Sequence, residues 1–450
     1  MSIAGFRQQV VCLIVAMGGL LFGFDTAVIS GAITPLKQQF SLDTAMEGWL
    51  VSSGLIGCII GVLITGILSD RIGRKKTILL AGWMFLLSAV GCAFAPTVFM
   101  LVLSRMLGGI GVGMASVISP MYITEFAPAA RRGQMVAYYQ LAITVGIVLA
   151  YASNAWLDGI DLAWFSRAEI WRPMFLVMAL PSLVFLVLLA KVPESPRWLM
   201  SRGRADKAAQ VMQVIRDPEE VEKEMYEMTN AALKANGKST SLWLPAIRLP
   251  LLIGVVLAIL QQFSGINAII YYGPSIFEAA GFDSSNALLL QVVIGGVNVL
   301  ATFIAIRLVD RYGRKSLLKA GLAGIVLSLV WCGLLFYTGN TKTPLLLVLM
   351  LFYIACFAFS LGPITWIIIN EIFPTEVRVK AVAFCTLMLW VAVWAVGQFV
   401  PWLLTTAGPA VLFWIFALFS TANFLFSWKV VKETKGRSLE EMEDIFITPH

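Results

Sequence analysis

Twelve long apolar stretches, each closed by a short polar interruption, organise the chain. They lie at approximately residues 8–33, 46–68, 77–95, 98–122, 134–156, 172–192, 249–273, 286–309, 316–338, 344–369, 380–404 and 409–431. A helix rises about 1.5 Å per residue, so each stretch is long enough to cross a hydrocarbon core about 30 Å thick. The pattern predicts an all-α membrane protein with twelve transmembrane helices. The first stretch follows a single Arg7 and runs too long for a cleaved signal peptide, so it reads as a retained span.

The polar interruptions repeat. Asp70-Arg71-Ile72-Gly73-Arg74-Lys75 returns as Asp310-Arg311-Tyr312-Gly313-Arg314-Lys315, 240 positions later (310 − 70). A second pair follows in the same order: Glu125-Phe126-Ala127-Pro128 with Arg132, then Glu371-Ile372-Phe373-Pro374 with Arg378. Two landmarks in one order argue for internal duplication. The expected units are residues 1–192 and 249–431, each with six spans, joined by a charged segment over 193–248 and followed by a short charged tail, 432–450. Segment 193–248 has helical pattern at Arg204 to Arg216 and Glu219 to Ala235 and reads as a small amphipathic helical insertion on the inner surface.

Composition agrees: 59% of residues are apolar and 13% charged, against roughly a quarter charged in soluble proteins. With both termini placed inside, the inner segments hold 28 of the 33 basic residues, while the outer loops hold Lys37, Arg167, Arg172 and Lys342. That satisfies the positive-inside rule. It also accounts for the net charge of +7 without a nucleic-acid partner. The six cysteines sit in apolar runs and form no disulfide or metal framework, and the single histidine is His450. No phosphate-binding loop of the Gly-x-x-x-x-Gly-Lys-Ser/Thr type occurs. Enzymatic, ATP-driven and cofactor-dependent readings therefore lack residues. The absence of an Asn-x-Ser/Thr acceptor is consistent with a bacterial inner membrane.

Two charges lie inside spans. Asp25 is 8 residues before the outer end of the first, and Arg105 is 7 residues after the outer start of the fourth. The first span runs outward and the fourth inward, which sets both about 10–12 Å below the outer boundary. A buried ion costs several kcal/mol unless paired, so each predicts the other as partner. One reading makes them a static bridge. The other makes Asp25 a proton carrier whose protonation frees the two helices.

The charged loops and the Glu125 and Glu371 motifs fall at the inner ends of spans two, eight, four and ten. Asp70, Arg71, Arg74, Glu125, Arg132, Asp310, Arg311, Arg314, Glu371 and Arg378 are the candidate cytoplasmic gate, a ring of ion pairs latching the halves. Topogenesis explains part of the basic excess but not the recurring acids. Span seven carries Gln261, Gln262, Ser264, Gly265 and Asn267 near mid-membrane. Uncharged amides offer donors and acceptors together, which suits a neutral polyhydroxylated ligand. Gly265 and Gly273-Pro274 permit a bend there. Gln140 and Asn298 fit either ligand contact or interhelical hydrogen bonding. Trp366, Trp390 and Trp394 could stack on a sugar, or belong to an interface belt. The Gly108-Gly109-Ile110-Gly111-Val112-Gly113 run follows no strand and reads as tight helix packing.

The two charged loops, Pro193-Glu194-Ser195-Pro196-Arg197-Trp198-Leu199, the Gln261 to Tyr272 stretch and Glu433-Thr434-Lys435-Gly436-Arg437-Ser438-Leu439-Glu440 together resemble the sugar-porter branch of the major facilitator superfamily. The resemblance implies two six-helix bundles, each of inverted three-helix triplets, with substrate held between them. It assigns Gln140, Gln261, Gln262, Asn267, Asn298, Trp366 and Trp390 to sugar contact, with Phe22 beside the pocket, and matches Asp25 with Arg105 to proton-coupled members. Ile147, Leu389 and Val393 stand where some members carry amides, and Ile306 replaces the first loop glycine, Gly66 of the first copy. The expected protein is a monomeric importer that carries a monosaccharide, hexose or pentose, together with a proton across a plasma membrane by alternating access. A facilitative uniporter, a polyol or inositol symporter and a membrane sugar sensor are the competing readings.

Overall fold

The computed structural model describes residues 3–127, 132–160, 166–215, 221, 225–226, 242–373 and 377–433. The first six spans are α1 (Ile3–Phe40), α2 (Thr44–Ile72), α3 (Arg74–Ala93), α4 (Val98–Phe126), α5 (Arg132–Asp158), and a broken sixth made of α6 (Trp171–Leu176) and α7 (Ala179–Ala190). Two short helices follow, α8 (Pro196–Ser201) and α9 (Ala205–Ile215). The second six begin with a broken span, α10 (Pro245–Gln262) and α11 (Ile266–Ala279), then α12 (Ser284–Tyr312) and α13 (Arg314–Thr338). A further broken span, α14 (Pro344–Phe359) and α15 (Leu361–Glu371), precedes α16 (Arg378–Thr406) and α17 (Gly408–Lys429). With each broken pair taken as one span, the described residues hold twelve segments long and apolar enough to cross a membrane, the number the sequence pattern predicts.

The duplication extends to helix caps. Asp43 and Asp283, again 240 apart (283 − 43), cap α2 and α12 by accepting the backbone N–H of Met46 at 2.7 Å and of Asn286 at 3.3 Å. At the other ends of these helices, Gly73 and Gly313 adopt φ of 99° and 83°. Side chains other than glycine rarely enter that region, so the glycine allows α3 and α13 to start directly after the turn. Packing repeats as well: α2 lies on α4, α1 on α5 and α3 on α4, while α12 lies on α14, α10 on α16 and α13 on α14.

Glycine brings α2 and α4 together. A Cβ at Gly57, Gly61, Gly109 or Gly113 would strike the backbone carbonyl oxygen of Met106, Ile110, Gly54 or Cys58 respectively. The glycine run is a helix-packing surface, as its position implies, because only a missing side chain lets two backbones approach so closely.

The bundles join through α2 with α16, α5 with α12, and α1 with α11. The contacts that join them lie away from the charged loops: Ser52 Oγ donates to Gln398 Oε1 at 2.7 Å, and Ser285 Oγ donates to Asp158 Oδ2 at 2.8 Å. These residues are in the N-terminal parts of α2 and α12 and the C-terminal parts of α16 and α5, so the seam is tight at the end opposite the loops.

The segment between the bundles is docked at its start. Met212 and Ile215 of α9 join the main hydrophobic core, and Trp198 of α8 donates its indole N–H to the Asp70 carbonyl at 2.9 Å. Helix α9 matches the expected Arg204 to Arg216 pattern; Glu219 to Ala235 lies outside the described residues except for Val221, Met225 and Tyr226, which are helical.

Candidate functional site

Asp25 and Arg105 meet as their matched depths require. Both are buried, at 5% and 4% exposure. Arg105 Nη1 donates to Asp25 Oδ2 at 3.3 Å and to the Asp25 backbone carbonyl at 3.1 Å. Gly54 on α2 leaves room for the guanidinium, and Gly108 on α4 leaves room for the carboxylate, whose Oδ1 would stand 2.8 Å from a Cβ placed there. The ring of Phe175 lies 5.9 Å from the guanidinium carbon. The pair thus sits in a slot cut by glycines among α1, α2 and α4, with an aromatic wall supplied by α6.

The amide cluster surrounds a helix break. Gly265, at φ 92°, separates α10 from α11, and a Cβ on it would run into the ring of Phe416. Around the break, Asn267 Nδ2 donates to Gln262 Oε1 at 2.5 Å, Gln262 Nε2 donates to Gln261 Oε1 at 3.4 Å, and Gln261 Nε2 donates to the Leu361 carbonyl at 2.7 Å. That carbonyl lies at a second break, between α14 and α15, where Ser360 has φ −122° and ψ −90°. The Gly265 and Gly273-Pro274 pattern predicts a bend in span seven; span ten is interrupted as well. The break in span ten is where Leu361 meets Gln261, so the two interrupted spans face each other across a chain of amides.

Phe22 and Trp390 are in contact across the bundle interface, ring centroids 5.6 Å apart. Among the described residues, the side chains of Gln140 and Asn298 make no hydrogen bond, and neither do the indole N–H groups of Trp366 and Trp390. Among the described residues, therefore, neither Gln140 nor Asn298 serves as an interhelical hydrogen-bonding link. Ile147, Leu389 and Val393 are all buried, giving one side of the interface an apolar lining.

At the charged loops, Arg74 Nε donates to Glu125 Oε1 at 3.2 Å and Arg74 Nη1 to Asp70 Oδ1 at 3.1 Å. In the second bundle, Arg314 Nη2 donates to Glu371 Oε1 at 3.4 Å. Acid and base meet on one face, but each of these pairs lies inside one bundle and none of them latches one half to the other. The reason is geometric: each arginine starts the helix packed beside its own bundle's glutamate, so the near partner is the local one. Arg378 donates to the Phe373 carbonyl at 3.1–3.2 Å. The side chains of Arg132, Asp310 and Arg311 lie outside the described residues. Gly66 meets nothing within 4 Å, so the first loop glycine is not a close-packing position in this structure.

The family model described as "Sugar (and other) transporter" matches residues 11–446. The chain belongs to that family. It is 40% identical over 444 residues to the arabinose-proton symporter of Bacillus subtilis (strain 168), covering 98% of this chain and 96% of that one. It is 37% identical over 471 residues to the D-xylose-proton symporter of Escherichia coli (strain K12), covering 97% and 95%. Among solved structures it is similar to the xylose transporter XylE from E. coli in a partially occluded inward open conformation, with 36% identity, coverage of 95% of this chain and 99% of that one, and a TM-score of 0.85. The fold is that of the major facilitator superfamily, and the chain is a multi-pass membrane protein.

Two glutamates, Glu194 and Glu433, have a structural role that their sequence neighbourhood does not disclose. Glu194 Oε1 accepts the backbone N–H groups of Arg74 and Lys75, each at 3.0 Å. Glu433 repeats this with Arg314 at 2.9 Å and Lys315 at 3.0 Å. Each carboxylate follows the last span of its own bundle and caps the helix that starts at the charged loop, where unpaired N–H groups and the helix dipole favour an anion. The signal was present in the spacing: 433 − 194 is 239, one short of the loop repeat.

Proposed function

We propose that this chain is a proton-coupled monosaccharide importer that works by alternating access. The observation that carries the reading is the isolated, buried Asp25 and Arg105 pair in the same membrane interior as a helix break lined with amides. A carboxylate buried in a membrane is costly unless it pairs or takes a proton, and one that does both in turn can couple a proton gradient to helix movement. The named activities of the arabinose-proton and D-xylose-proton symporters support sugar and proton as the pair carried.

In this reading Gln140, Gln261, Gln262, Asn267 and Asn298 present donors and acceptors to sugar hydroxyls, while Trp366, Trp390 and Phe22 supply ring faces. Residues 1–192 and 249–431 are the two rocking units, 193–248 connects them, and 432–450 forms a tail. The basic excess supports a cytoplasmic position for the charged loops and both termini; a bacterial inner membrane and a monomeric working unit belong to the same reading. The tight seam is then extracellular, so the conformation described here faces inward. The charged loops act as a cytoplasmic gate by changing partners: in this conformation Arg74 and Arg314 hold to their own bundles, and on closing the loops meet across the interface.

Purified protein in liposomes loaded with a pH dye, given a panel of pentoses, hexoses and inositols, tests the reading. A saturable sugar uptake accompanied by internal acidification is expected. Uptake without acidification would make the chain a uniporter, and binding without flux would make it a sensor.

A further inference from the structure

Pro274 lies inside α11. A proline has no amide hydrogen, so the carbonyl of Ile270, four residues earlier, loses its helical donor. The donor it finds comes from the other bundle: Tyr151 of α5, 2% exposed, places its hydroxyl 3.2 Å from the Ile270 carbonyl oxygen. The donor within the same bundle is engaged one residue away, where Gln291 Nε2 of α12 bonds the Ile269 carbonyl at 2.8 Å.

Tyr151 is held tightly in this place. A Cβ at Gly295 on α12 would lie 3.0 Å from its ring. Along α5 it follows Gln140 by 11 residues (151 − 140), three turns on the same face and about 16 Å nearer the end opposite the charged loops. Two turns further on that face, Asp158 accepts from Ser285 Oγ. Tyr151 therefore covers the amide site from the closed end.

We propose that Tyr151 is a positioning residue for closure of the seam opposite the charged loops: its hydroxyl, bound to the carbonyl that Pro274 leaves without a helical partner, weights the protein toward the closed form. The bond joins the two bundles, so it exists only while they meet at this end and contributes to one conformation and not to the other. The inference rests on the alternating-access reading, but its test needs neither sugar nor proton coupling.

The reporter is V51C, in a protein whose six natural cysteines are replaced by alanine. Val51 is 1% exposed and faces Gly397 across the separate seam between α2 and α16, so it reports opening of the whole face and not a local disturbance. Loss of one hydrogen bond from the closed form predicts that Tyr151→Phe speeds labelling by a bulky maleimide roughly two- to tenfold. Pro274→Ala restores an N–H for the Ile270 carbonyl in both conformations and should speed labelling by a similar factor on its own. Adding Tyr151→Phe to Pro274→Ala should then change the rate little, because the hydroxyl no longer serves an orphan acceptor. Equal acceleration by Tyr151→Phe in both backgrounds, or no acceleration by either single variant, overturns the proposal. If Tyr151→Phe does not fold, an unchanged rate in Pro274→Ala overturns it alone. Liposome uptake in the parent protein decides the transport reading independently.

Discussion

Arg105 holds Asp25 twice, through the carboxylate at 3.3 Å and through the backbone carbonyl at 3.1 Å. Only the first of these bonds responds to protonation. On the proposed coupling, a neutral carboxyl group would weaken the charge attraction between α1 and α4 while the bond from the arginine to the Asp25 carbonyl stayed in place. The pair is thereby suited to loosening without dissolving, which is what a coupling element needs.

Asp25→Asn should abolish uphill sugar accumulation and internal acidification while leaving exchange of sugar down its gradient. The parent's uptake should fall as external pH rises, because fewer protons are available to Asp25, and the variant's pH profile should be flat. Accumulation retained in the variant would remove Asp25 from the coupling role.

Stability should follow the pair in a double-mutant cycle. Removing one partner leaves an uncompensated buried group and costs about 3–5 kcal/mol, whereas replacing both by neutral side chains of similar volume costs much less. Thermal unfolding of Asp25→Asn, Arg105→Met and the double variant should show the double variant more stable than Arg105→Met alone.

Gln261→Ala should weaken sugar binding about tenfold, near 1.4 kcal/mol. It removes a ligand partner in the proposed site and also frees the Leu361 carbonyl, which Gln261 bonds at 2.7 Å. Tryptophan quenching titrations with the transported sugar would measure it. Unchanged affinity would move the site away from the α10 and α11 break.

Gly109→Ala tests the packing of α2 on α4. The added methyl group would fall on the Gly54 carbonyl oxygen, and overpacking of this kind costs about 1–3 kcal/mol. A lowered unfolding temperature is expected; an unchanged one would mean that the two helices can part freely.

Glu433→Ala removes the acceptor for Arg314 and Lys315 N–H at the start of α13. Loss of a helix cap costs about 0.5–2 kcal/mol. Glu194→Ala should behave alike at α3, and a matched loss of thermal stability in the two variants would establish that the caps are equivalent.

Much of this architecture was legible in the chain because lipid constrains backbone so strongly. Backbone N–H and C=O groups in lipid find no water, and a helix satisfies nearly all of them within its own segment, so apolar runs of sufficient length translate directly into twelve helices. The same economy made Asp25 and Arg105 find each other from depth alone: few charges lie within the spans, and a buried ion needs its opposite. The glycine run in α4 could be read as packing because no strand precedes it.

Partner choice among neighbours was decided only by the tertiary structure. Arg74 and Arg314 could reach several acids by sequence, and helix placement selected Glu125 and Glu371 of their own bundles. The break at Ser360 has its signal in the adjoining Gly362-Pro363, where Pro363 offers no N–H to the Phe359 carbonyl, but its partner became visible only where Gln261 bonds the Leu361 carbonyl. Glu194 and Glu433 looked like charges of a linker and a tail until α3 and α13 were seen to present their N–H groups to them. Membrane insertion is a property of each segment taken separately, and composition carries it; hydrogen-bond partnership depends on which segments become neighbours, and that is a property of the packed whole.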